Sequence, residues 1–385
     1  MPPLGFYVQV YMTDIIPCKI SAHTERRIYM KVLLIETASG GHHDYYASAL
    51  QKAADETVYI VPEKIEGIAS KQIVIDSGFA MKKSFWGYLA WLGKIHRVVK
   101  AENPDVIHFL YGDIFYRNFG LGLKYACTGK HSIMTCHHIR RSRLHDFSLR
   151  RIAHRLKALV VHTESLKNDL DAMGLVNAVQ IDYPEFMEIA CIPRDEALAE
   201  LGIAVQDGDR VLLALGGTRR DKGLDILLEA LKTVNGRFHL IVAGEENTYK
   251  RDFILAESAG YESRVSLLLE HLDDKKFVKC LNAADIVVLP YRKIFDGASG
   301  PLTDGAYIGK MIVGPSHGSI GRAITANHLG LTFEAENVES LSRVIDEALS
   351  GNFVPDEKYR TYQERLRLEI FIERYMKLYE GVKNS

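Results

Sequence analysis

Residues 282–315 have the sequence NAADIVVLPYRKIFDGASGPLTDGAYIGKMIVGP, whose pattern indicates the fold. This stretch contains two apolar segments, 286–289 and 311–313, and short continuous apolar runs are typical of buried parallel strands. Between them lie a loop of small residues and a short helix that we predict over about 302–308. A strand, a glycine-containing loop, a helix and a second strand form a βαβ unit, which points backbone N–H groups and a helix N-terminus at an anion.

Two carboxylates frame the loop of this unit. Asp296 begins the loop, Ser299 and Gly300 end it, and Asp304 follows in the first turn of the predicted helix. A carboxylate cannot bind a phosphate, but beside a phosphate cradle it can accept hydrogen bonds from sugar hydroxyl groups. The spacing therefore indicates a nucleotide-sugar site. The alternative is an ordinary βαβ turn in which Asp304 only interacts with the helix dipole.

This stretch resembles the retaining glycosyltransferases of the large group-1 class (family four), which have the GT-B fold and a Glu-x7-Glu motif between such a strand and helix. Here Asp stands at both ends, Asp296-x7-Asp304, after the family-like ADIVVLPYR. The resemblance implies that Asp304 holds the nucleotide ribose and Asp296 the hydroxyl groups of the donor sugar, with N–H groups near Ser299 and Gly300 assisting. Because Asp is one methylene shorter than Glu, the donor must lie closer or a water must bridge.

Length and composition favour a two-domain α/β protein. The chain has 385 residues, 47% of them hydrophobic, which suits two globular domains with sizeable cores. Its 48 basic and 49 acidic residues create no overall field that would recruit nucleic acid, so no nucleic-acid partner is predicted. The five cysteines are scattered and form no Cys-x-x-Cys pair, which indicates reduced thiols in a cytoplasmic protein.

The beginning of the chain does not match the rest. Residues 1–29 lack the basic start and continuous apolar segment of a signal peptide, so we expect a poorly ordered extension, with an edge strand over 6–10 as the alternative. A first parallel strand is predicted over 31–36. The turn after it contains Gly40 and Gly41, at the strand end where an open α/β sheet binds its ligand. In the resembled family this loop approaches the donor diphosphate and the acceptor.

No metal site is predicted. His42 and His43 are adjacent on one loop, which is weak evidence for metal binding. The triplet 207–209, Asp-Gly-Asp, has the letters of a metal-holding DxD motif, but it precedes a strand, whereas a metal-holding motif follows one. We interpret the triplet as a turn.

Strands and helices continue to alternate through the first half, which predicts a Rossmann-like domain over 30–185. The strand at 132–135 leads to His137, and its Thr-x-His ending resembles the corresponding position in the family. The resemblance implies that His137 contacts the transferred sugar. The alternative is a histidine that merely caps the strand.

A basic segment follows at 140–157, with seven Lys or Arg residues against one Asp. Four apolar residues are predicted on one face of a helix there: Leu144, Phe147, Ile152 and Leu156. Basic residues beside an anionic lipid surface attract it, so the segment predicts docking of the first domain on a membrane. The alternative is a surface helix that packs its apolar face inward.

The second half contains another candidate anion site. After an apolar strand at 210–215 comes a turn with Arg219 and Lys222, followed by a helix over 224–234. Two such cations beside a helix N-terminus would clamp a diphosphate. The family's common form has its Arg at the position of Gly217. A subgroup form matches Arg219 rather than Arg220. A solvated charged turn is the alternative.

Together these patterns predict a GT-B architecture: Rossmann-like domains over 30–185 and 190–355 face each other across a cleft, and a helix within 356–385 packs back on the first. The resemblance implies a retaining, metal-independent glycosyltransferase, a hexosyltransferase, that needs no cofactor beyond its nucleotide-diphosphate sugar. Its acceptor would be a saccharide or lipid-linked chain in polysaccharide biosynthesis, with the enzyme peripheral on the inner face of the membrane. A nucleotide-sugar 2-epimerase and a non-catalytic subunit of a polysaccharide-assembly complex remain alternatives.

The residues assigned to these roles fall in two groups. His137, Arg219, Lys222 and Asp296 are the predicted catalytic residues. The predicted donor-binding residues are Gly40, Gly41, Gly217, Ser299, Gly300 and Asp304.

Overall fold

Two parallel sheets organise the chain, as the alternating strands and helices predict. In this computed structural model the described residues are 29–385 except 39, 41, 79–83, 138, 140–141, 188 and 296–298. The expected extension therefore lies outside the described residues. So do Gly41 and Asp296. Within the described part, one sheet has seven strands and the other six. The predicted α/β class is confirmed.

The first sheet has the strand order β3-β2-β1-β4-β5-β6-β7, with every pair parallel. Its order reverses between β1 and β4, so the loops after these strands diverge and open a crevice. The sequence analysis missed β3, a polar and partly exposed edge strand. The strands are β1 Lys31–Ile35, β2 Glu56–Val61, β3 Lys71–Val74, β4 Val106–Phe109, β5 His131–Thr135, β6 Ala158–Val161 and β7 Ala178–Gln180. The helices are α1 His42–Leu50, α2 Phe85–Glu102, α3 Leu123–Ala126, α4 Arg143–Ala153 and α5 Glu164–Ala172, with a 3-10 helix at Gly112–Asn118.

The second sheet has the order β10-β9-β8-β11-β12-β13, again parallel, and reverses between β8 and β11. Its strands are β8 Arg210–Leu215, β9 Phe238–Ala243, β10 Val265–Leu268, β11 Ile286–Val288, β12 Met311–Pro315 and β13 Gly330–Phe333. The helices around it are α6 Arg194–Glu200, α7 Leu224–Leu231, α8 Arg251–Glu257, α9 Asp274–Ala283, α10 Gly300–Tyr307, α11 Gly318–Ala326 and α12 Val338–Ser350, with 3-10 helices at Arg220–Lys222 and Glu262–Arg264.

The stretch at 282–315 forms the predicted strand, loop, helix and strand. Val287 in β11 pairs with Leu213 of β8 on one side and with Ile312 of β12 on the other, so the unit lies in the middle of its sheet. Helix α10 begins at Gly300, earlier than predicted, because the Ser299 hydroxyl caps it by accepting a hydrogen bond from Leu302 N at 3.4 Å.

The end of the chain forms two helices where one was expected. Helix α13, Glu357–Arg365, packs on the second domain, where Tyr359 donates to the Lys310 carbonyl at 2.6 Å. Helix α14, Leu368–Lys383, packs in the core of the first domain. The helices separate at Leu366, whose carbonyl accepts from Glu185 N at 2.8 Å, because the chain changes domain there.

The basic segment at 140–157 does not present the predicted four-residue face. Ile152 and Leu156 are buried in the first-domain core, whereas Leu144 and Phe147 are 65% and 57% exposed. Helix α4 ends at Ala153, so Leu156 lies beyond it, and Ile152 lies roughly 140° around the helix from Phe147. The inward-packing alternative thus holds for half of the apolar residues.

We expect Phe371→Ala to destabilise the first domain, because the buried Phe371 of α14 contacts the rings of Tyr46 and Tyr375 at 5.4 and 4.9 Å. The free energy of unfolding should fall by about 3–5 kcal/mol, the usual cost of a buried Phe→Ala change. Urea unfolding followed by tryptophan fluorescence reports on this domain, since both tryptophans of the chain are in α2.

The matched control is Phe147→Ala at an exposed position of the same domain, with an expected change within about 0.5 kcal/mol. Equal losses in the two variants would contradict the assignment of α14 to the first-domain core.

Candidate active site

Lys222 lies over the end of β8. Its Nζ donates to the Leu215 carbonyl at 3.5 Å. Gly216 has a φ of +104°, which favours glycine, and a Cβ atom added there would lie 2.1 Å from Nζ, so the lysine side chain would have to move. The ring centroid of Tyr291, which follows β11, is 5.7 Å away. Burial and the charge of Arg219 lower the pKa of Lys222 to about 8. The ammonium group is therefore largely removed from water, and no carboxylate among the described residues accepts a hydrogen bond from it, which leaves it available to an anion.

Arg219 is already paired. Its guanidinium donates to both carboxylate oxygens of Asp221, from Nε at 3.0 Å and from Nη2 at 2.8 Å. The pair is about half exposed on the arginine side. An anion at Lys222 would therefore compete with Asp221 for Arg219. The predicted donor residue Gly217 lies in the same turn, where a Cβ atom would lie 2.2 Å from Asn247 Oδ1.

The N-terminus of α10 stands beside this turn. Ser299 Oγ is 3.2 Å from the Tyr291 hydroxyl, and Tyr291 faces Lys222. Asp304, in the same helix, interacts electrostatically with Lys222. The structure thus brings Lys222, Ser299, Gly300 and Asp304 together from two separate parts of the sequence.

A carboxyl pair that the sequence analysis missed joins Asp304 to the linker between the domains. Glu185 is 5% exposed, and its Oε1 accepts from Met187 N at 2.9 Å while Oε2 is buried without a hydrogen-bond partner of normal geometry. Burial and the neighbouring Glu185 raise the pKa of Asp304 well above its usual range, and burial also raises that of Glu185. Two adjacent buried carboxyls cannot both ionise readily, so the charged form of the pair is disfavoured in the free protein.

His137 lies at the end of β5 on the opposite side of the cleft. Its Nε2 donates to the Leu110 carbonyl at 3.0 Å, which fastens the ends of β5 and β4. The ring stacks on Tyr111 at 4.9 Å and meets Tyr46 edge-on at 5.6 Å. Through this hydrogen bond His137 caps the strand, which was the alternative to contact with the sugar. Contact with a transferred sugar stays a prediction.

The turn after β1 lies next to His137. Gly40 has a φ of +90°, which favours glycine, and its N–H donates to Asp44 Oδ1 at 3.0 Å. The buried Glu36 accepts from Thr37 N at 2.6 Å and pairs with His43 Nδ1 at 3.3 Å. The sequence signal for Glu36 was a carboxylate at the end of the first predicted strand, and it was overlooked.

Tyr183 connects the two sides of the cleft. This linker residue lies within electrostatic range of Glu36 from the first domain and of Asp304 from the second. Its ring meets that of His162, at the end of β6, at 5.2 Å. The carboxyl ends of both sheets therefore face each other around Tyr183.

Among the residues that the structure describes, no cluster of three or more His, Cys, Asp or Glu side chains could hold a metal ion. None of the described helices is both long enough and apolar enough to cross a membrane.

Comparison with known proteins identifies the class. Residues 201–367 match the family described as "Glycosyl transferases group 1". No curated protein sequence matches the chain. The recognition of a group-1 glycosyltransferase from the stretch at 282–315 is confirmed by the family match.

Solved structures share the fold over nearly the whole chain. A glycosyltransferase from Rickettsia africae is 16% identical and superposes with a TM-score of 0.74, covering 93% of this chain and 100% of that one. A sucrose-phosphate synthase from Thermosynechococcus elongatus is 15% identical, with a TM-score of 0.69 and coverage of 91% and 98%. The Anabaena protein HepE, in complex with UDP and glucose, is 14% identical, with a TM-score of 0.68 and coverage of 92% and 100%. The protein is a glycosyltransferase with the GT-B fold.

We expect the affinity for a nucleoside diphosphate to fall as the pH rises above about 8. Below that pH Lys222 is charged in the free protein, and above it binding must first restore the proton, which weakens affinity by up to about tenfold per pH unit. Calorimetric titrations of ADP, GDP and UDP between pH 7 and 10 measure this dependence. Lys222→Arg should remove it, since an arginine stays charged throughout.

The matched control is Lys310→Arg. Lys310 is another partly buried lysine of the second domain whose pKa is lowered by burial, and it donates to the Asn282 carbonyl at 3.1 Å. The assignment of Lys222 would be contradicted if the pH dependence of the affinity disappeared in Lys310→Arg, or if it persisted in Lys222→Arg.

Proposed function

We propose that the protein is a retaining, metal-independent glycosyltransferase that moves a sugar from a nucleoside-diphosphate sugar to a saccharide or lipid-linked acceptor. The observation that carries the proposal is the juxtaposition of Lys222, the capped N-terminus of α10 and Asp304 at one end of the second sheet. A cation and a helix N-terminus suit a diphosphate, and a neighbouring carboxyl suits hydroxyl groups. The UDP and glucose bound to HepE support a donor of this class.

The donor would be held by two kinds of contact. Its diphosphate meets Lys222, the N–H groups near Ser299 and Gly300, and Arg219 once that guanidinium turns from Asp221. The ribose hydroxyl groups donate to Asp304, beside Glu185. The family resemblance assigns the sugar hydroxyls to Asp296 and the transferred ring to His137.

Transfer breaks the bond between the anomeric carbon and the diphosphate oxygen while the acceptor oxygen bonds to the same face of that carbon. The acceptor's proton goes to the departing phosphate oxygen, which gains negative charge as the bond breaks. Lys222 and the α10 N-terminus lie where that charge develops. Donors already aimed at developing charge in a poorly hydrated cleft stabilise a transition state strongly. With these cations as counter-charge, the proposal needs no metal.

The acceptor side of the proposal includes a membrane contact through α4. The exposed Leu144 and Phe147 project from α4 beside Arg143 in the first domain. Two apolar side chains with neighbouring basic residues suit reversible binding to an anionic lipid surface. Such docking would bring a lipid-linked acceptor to the first-domain side of the cleft.

The donor assignment is tested in two stages. UDP-, GDP- and ADP-sugars are screened by thermal shift, and the stabilising donor is then assayed for sugar transfer or hydrolysis with and without EDTA. We expect activity with EDTA present. Lys222→Ala and Asp304→Asn should each lower turnover by about 10²-fold, the scale for losing one aimed polar group at a reacting centre.

Arg220→Ala is the matched control for Arg219→Ala. The side chain of Arg220 forms no ion pair among the described residues, so its loss should cost far less. If Arg220→Ala lowered turnover more than Arg219→Ala, the assignment of Arg219 would be wrong. A strict requirement for Mg²⁺ or Mn²⁺ would overturn the metal-independent mechanism. Epimerised sugar without any acceptor would indicate the epimerase, and binding without turnover the non-catalytic subunit.

Membrane docking is tested by co-sedimentation with liposomes. Binding should rise with the fraction of anionic lipid, fall with salt, and drop when Leu144 and Phe147 both become Ser. Val354→Ser, at an exposed apolar position outside α4, is the matched control and should bind normally. Equal sedimentation with neutral liposomes, or none at low salt, would make a soluble acceptor the better proposal.

A further inference from the structure

Large apolar side chains are exposed together where α2 begins. Phe85 and Trp86 are the first two residues of this helix, and their rings meet at 5.7 Å. Both are exposed, Trp86 to 78%. Single exposed apolar side chains are common on protein surfaces, whereas a group of them indicates a contact surface.

Contacts connect this pair with the exposed residues of α4. Tyr88, about one turn along α2, donates its hydroxyl hydrogen to the Leu121 carbonyl at 2.7 Å. Two residues before Leu121, the ring of Phe119 meets that of Phe147 in α4 at 6.0 Å. We call the exposed members of this group the rim surface: Phe85, Trp86, Leu121, Leu144 and Phe147.

The rim surface lies at the edge of the first sheet that faces the cleft. Helix α2 connects β3 to β4, α4 connects β5 to β6, and the strands of this sheet are parallel. A helix between two parallel strands returns from the carboxyl edge of the sheet to its amino edge, so both helices begin at the carboxyl edge. His137 and the turn at Gly40 follow strands at this same edge.

The chain around the rim surface is basic. Residues 84–157 contain 13 Lys or Arg and four Asp or Glu residues, although the whole chain has a net charge of −1. Two of the four acids, Glu102 and Asp105, lie at the opposite edge of the sheet and pair there with lysines at 3.1 and 3.0 Å. Arg117 and Arg143 are close to the rim residues in the chain and are exposed. Positive charge around exposed apolar side chains matches an anionic lipid surface.

We propose that the rim surface inserts into an anionic membrane, with Trp86 at the boundary between headgroups and acyl chains, where tryptophan side chains are enriched. The inference rests on the proposed function for its lipid-linked acceptor, and it extends the contact from α4 to α2 and Leu121. It also gives the docked protein an orientation. The carboxyl edge of the first sheet faces the lipid, rather than the outer face of its helices, so the cleft opens beside the membrane.

Tryptophan fluorescence tests this insertion on the full chain. The chain has two tryptophans, and Trp91 is only 2% exposed, so lipid contact is reported by Trp86. The probes are vesicles of phosphatidylcholine and phosphatidylglycerol with or without bromine on the acyl chains, where bromine quenches a tryptophan that it touches. We expect brominated vesicles to quench the wild type. Trp86→Phe keeps an aromatic ring, so it should bind the vesicles and show no quenching.

Two serine variants test the orientation. Trp86→Ser should weaken vesicle binding about tenfold, the scale for burying one large apolar side chain. Tyr125→Ser is the matched control, because Tyr125 is 61% exposed but stacks on His96, roughly 16 Å further along α2 than Phe85. It should bind as the wild type does, and an equal loss in the two variants would overturn the orientation.

The inference would be overturned if the vesicles did not bind, if they bound without quenching, or if phosphatidylcholine alone quenched equally. Self-association of the wild type that Trp86→Ser abolishes would assign the rim surface to a second copy of the chain instead. Thermal stabilisation by nucleoside diphosphates is measured in every variant and should not change. Failure of every nucleoside diphosphate to stabilise the wild type would overturn the proposed function itself, independently of the result with vesicles.

Discussion

The position of the site depends on a buried hydrogen-bond network between the first sheet and the last helix of the chain. His108, fully buried in β4, is hydrogen-bonded through Nδ1 to the Tyr379 hydroxyl and through Nε2 to Thr135 Oγ1, both at 2.8 Å. Burial lowers the pKa of His108 to about 3, so the network is neutral. Tyr375 extends it to Tyr46, whose ring packs against His137. Because buried polar groups are costly when unpaired, the first domain needs the end of the chain to satisfy its own core.

In the free protein, the ionisable groups of the site lie in environments that disfavour their charged forms. Lys222 is near Arg219 and half-buried, while burial and the neighbouring Glu185 disfavour the charged form of Asp304. A phosphate would relieve the first arrangement, and hydroxyl donors would relieve the second. A ligand that carries both groups therefore gains from both at once, whereas phosphate or ribose alone gains from one. The need to bind both groups of one ligand gives a physical reason for Lys222 and the carboxyl pair to lie side by side.

Much of the fold could be predicted because its signals are local. Apolar runs such as 286–289 predict buried strands wherever they occur, and glycine turns after them mark the edge of the sheet that binds ligands. Lys222 and Asp304 were found because each stands at a fixed distance from such a strand. The edge strand β3 was missed, since a polar strand at the border of a sheet has no apolar run to reveal it.

Contacts between distant segments could not be predicted in this way. Glu185 follows the last strand of the first domain, and nothing in its neighbours indicates that it meets Asp304. Helix periodicity placed Ile152 with Phe147, but packing on the sheet below decided which face turned inward. These outcomes depend on tertiary packing, and a single sequence contains no direct signal of which distant segments pack together.

The double crossing between the domains limits how they can move. The chain passes from the first domain to the second near Glu185 and returns at Leu366, and Glu185 N donates to the Leu366 carbonyl at 2.8 Å. Asp182, beside the first crossing, also pairs with Arg374 at 3.0 Å just after the second. A single connecting strand would let one domain swivel about its own axis. Two crossings held side by side resist such a rotation and favour a hinge at this point, about which the cleft would open.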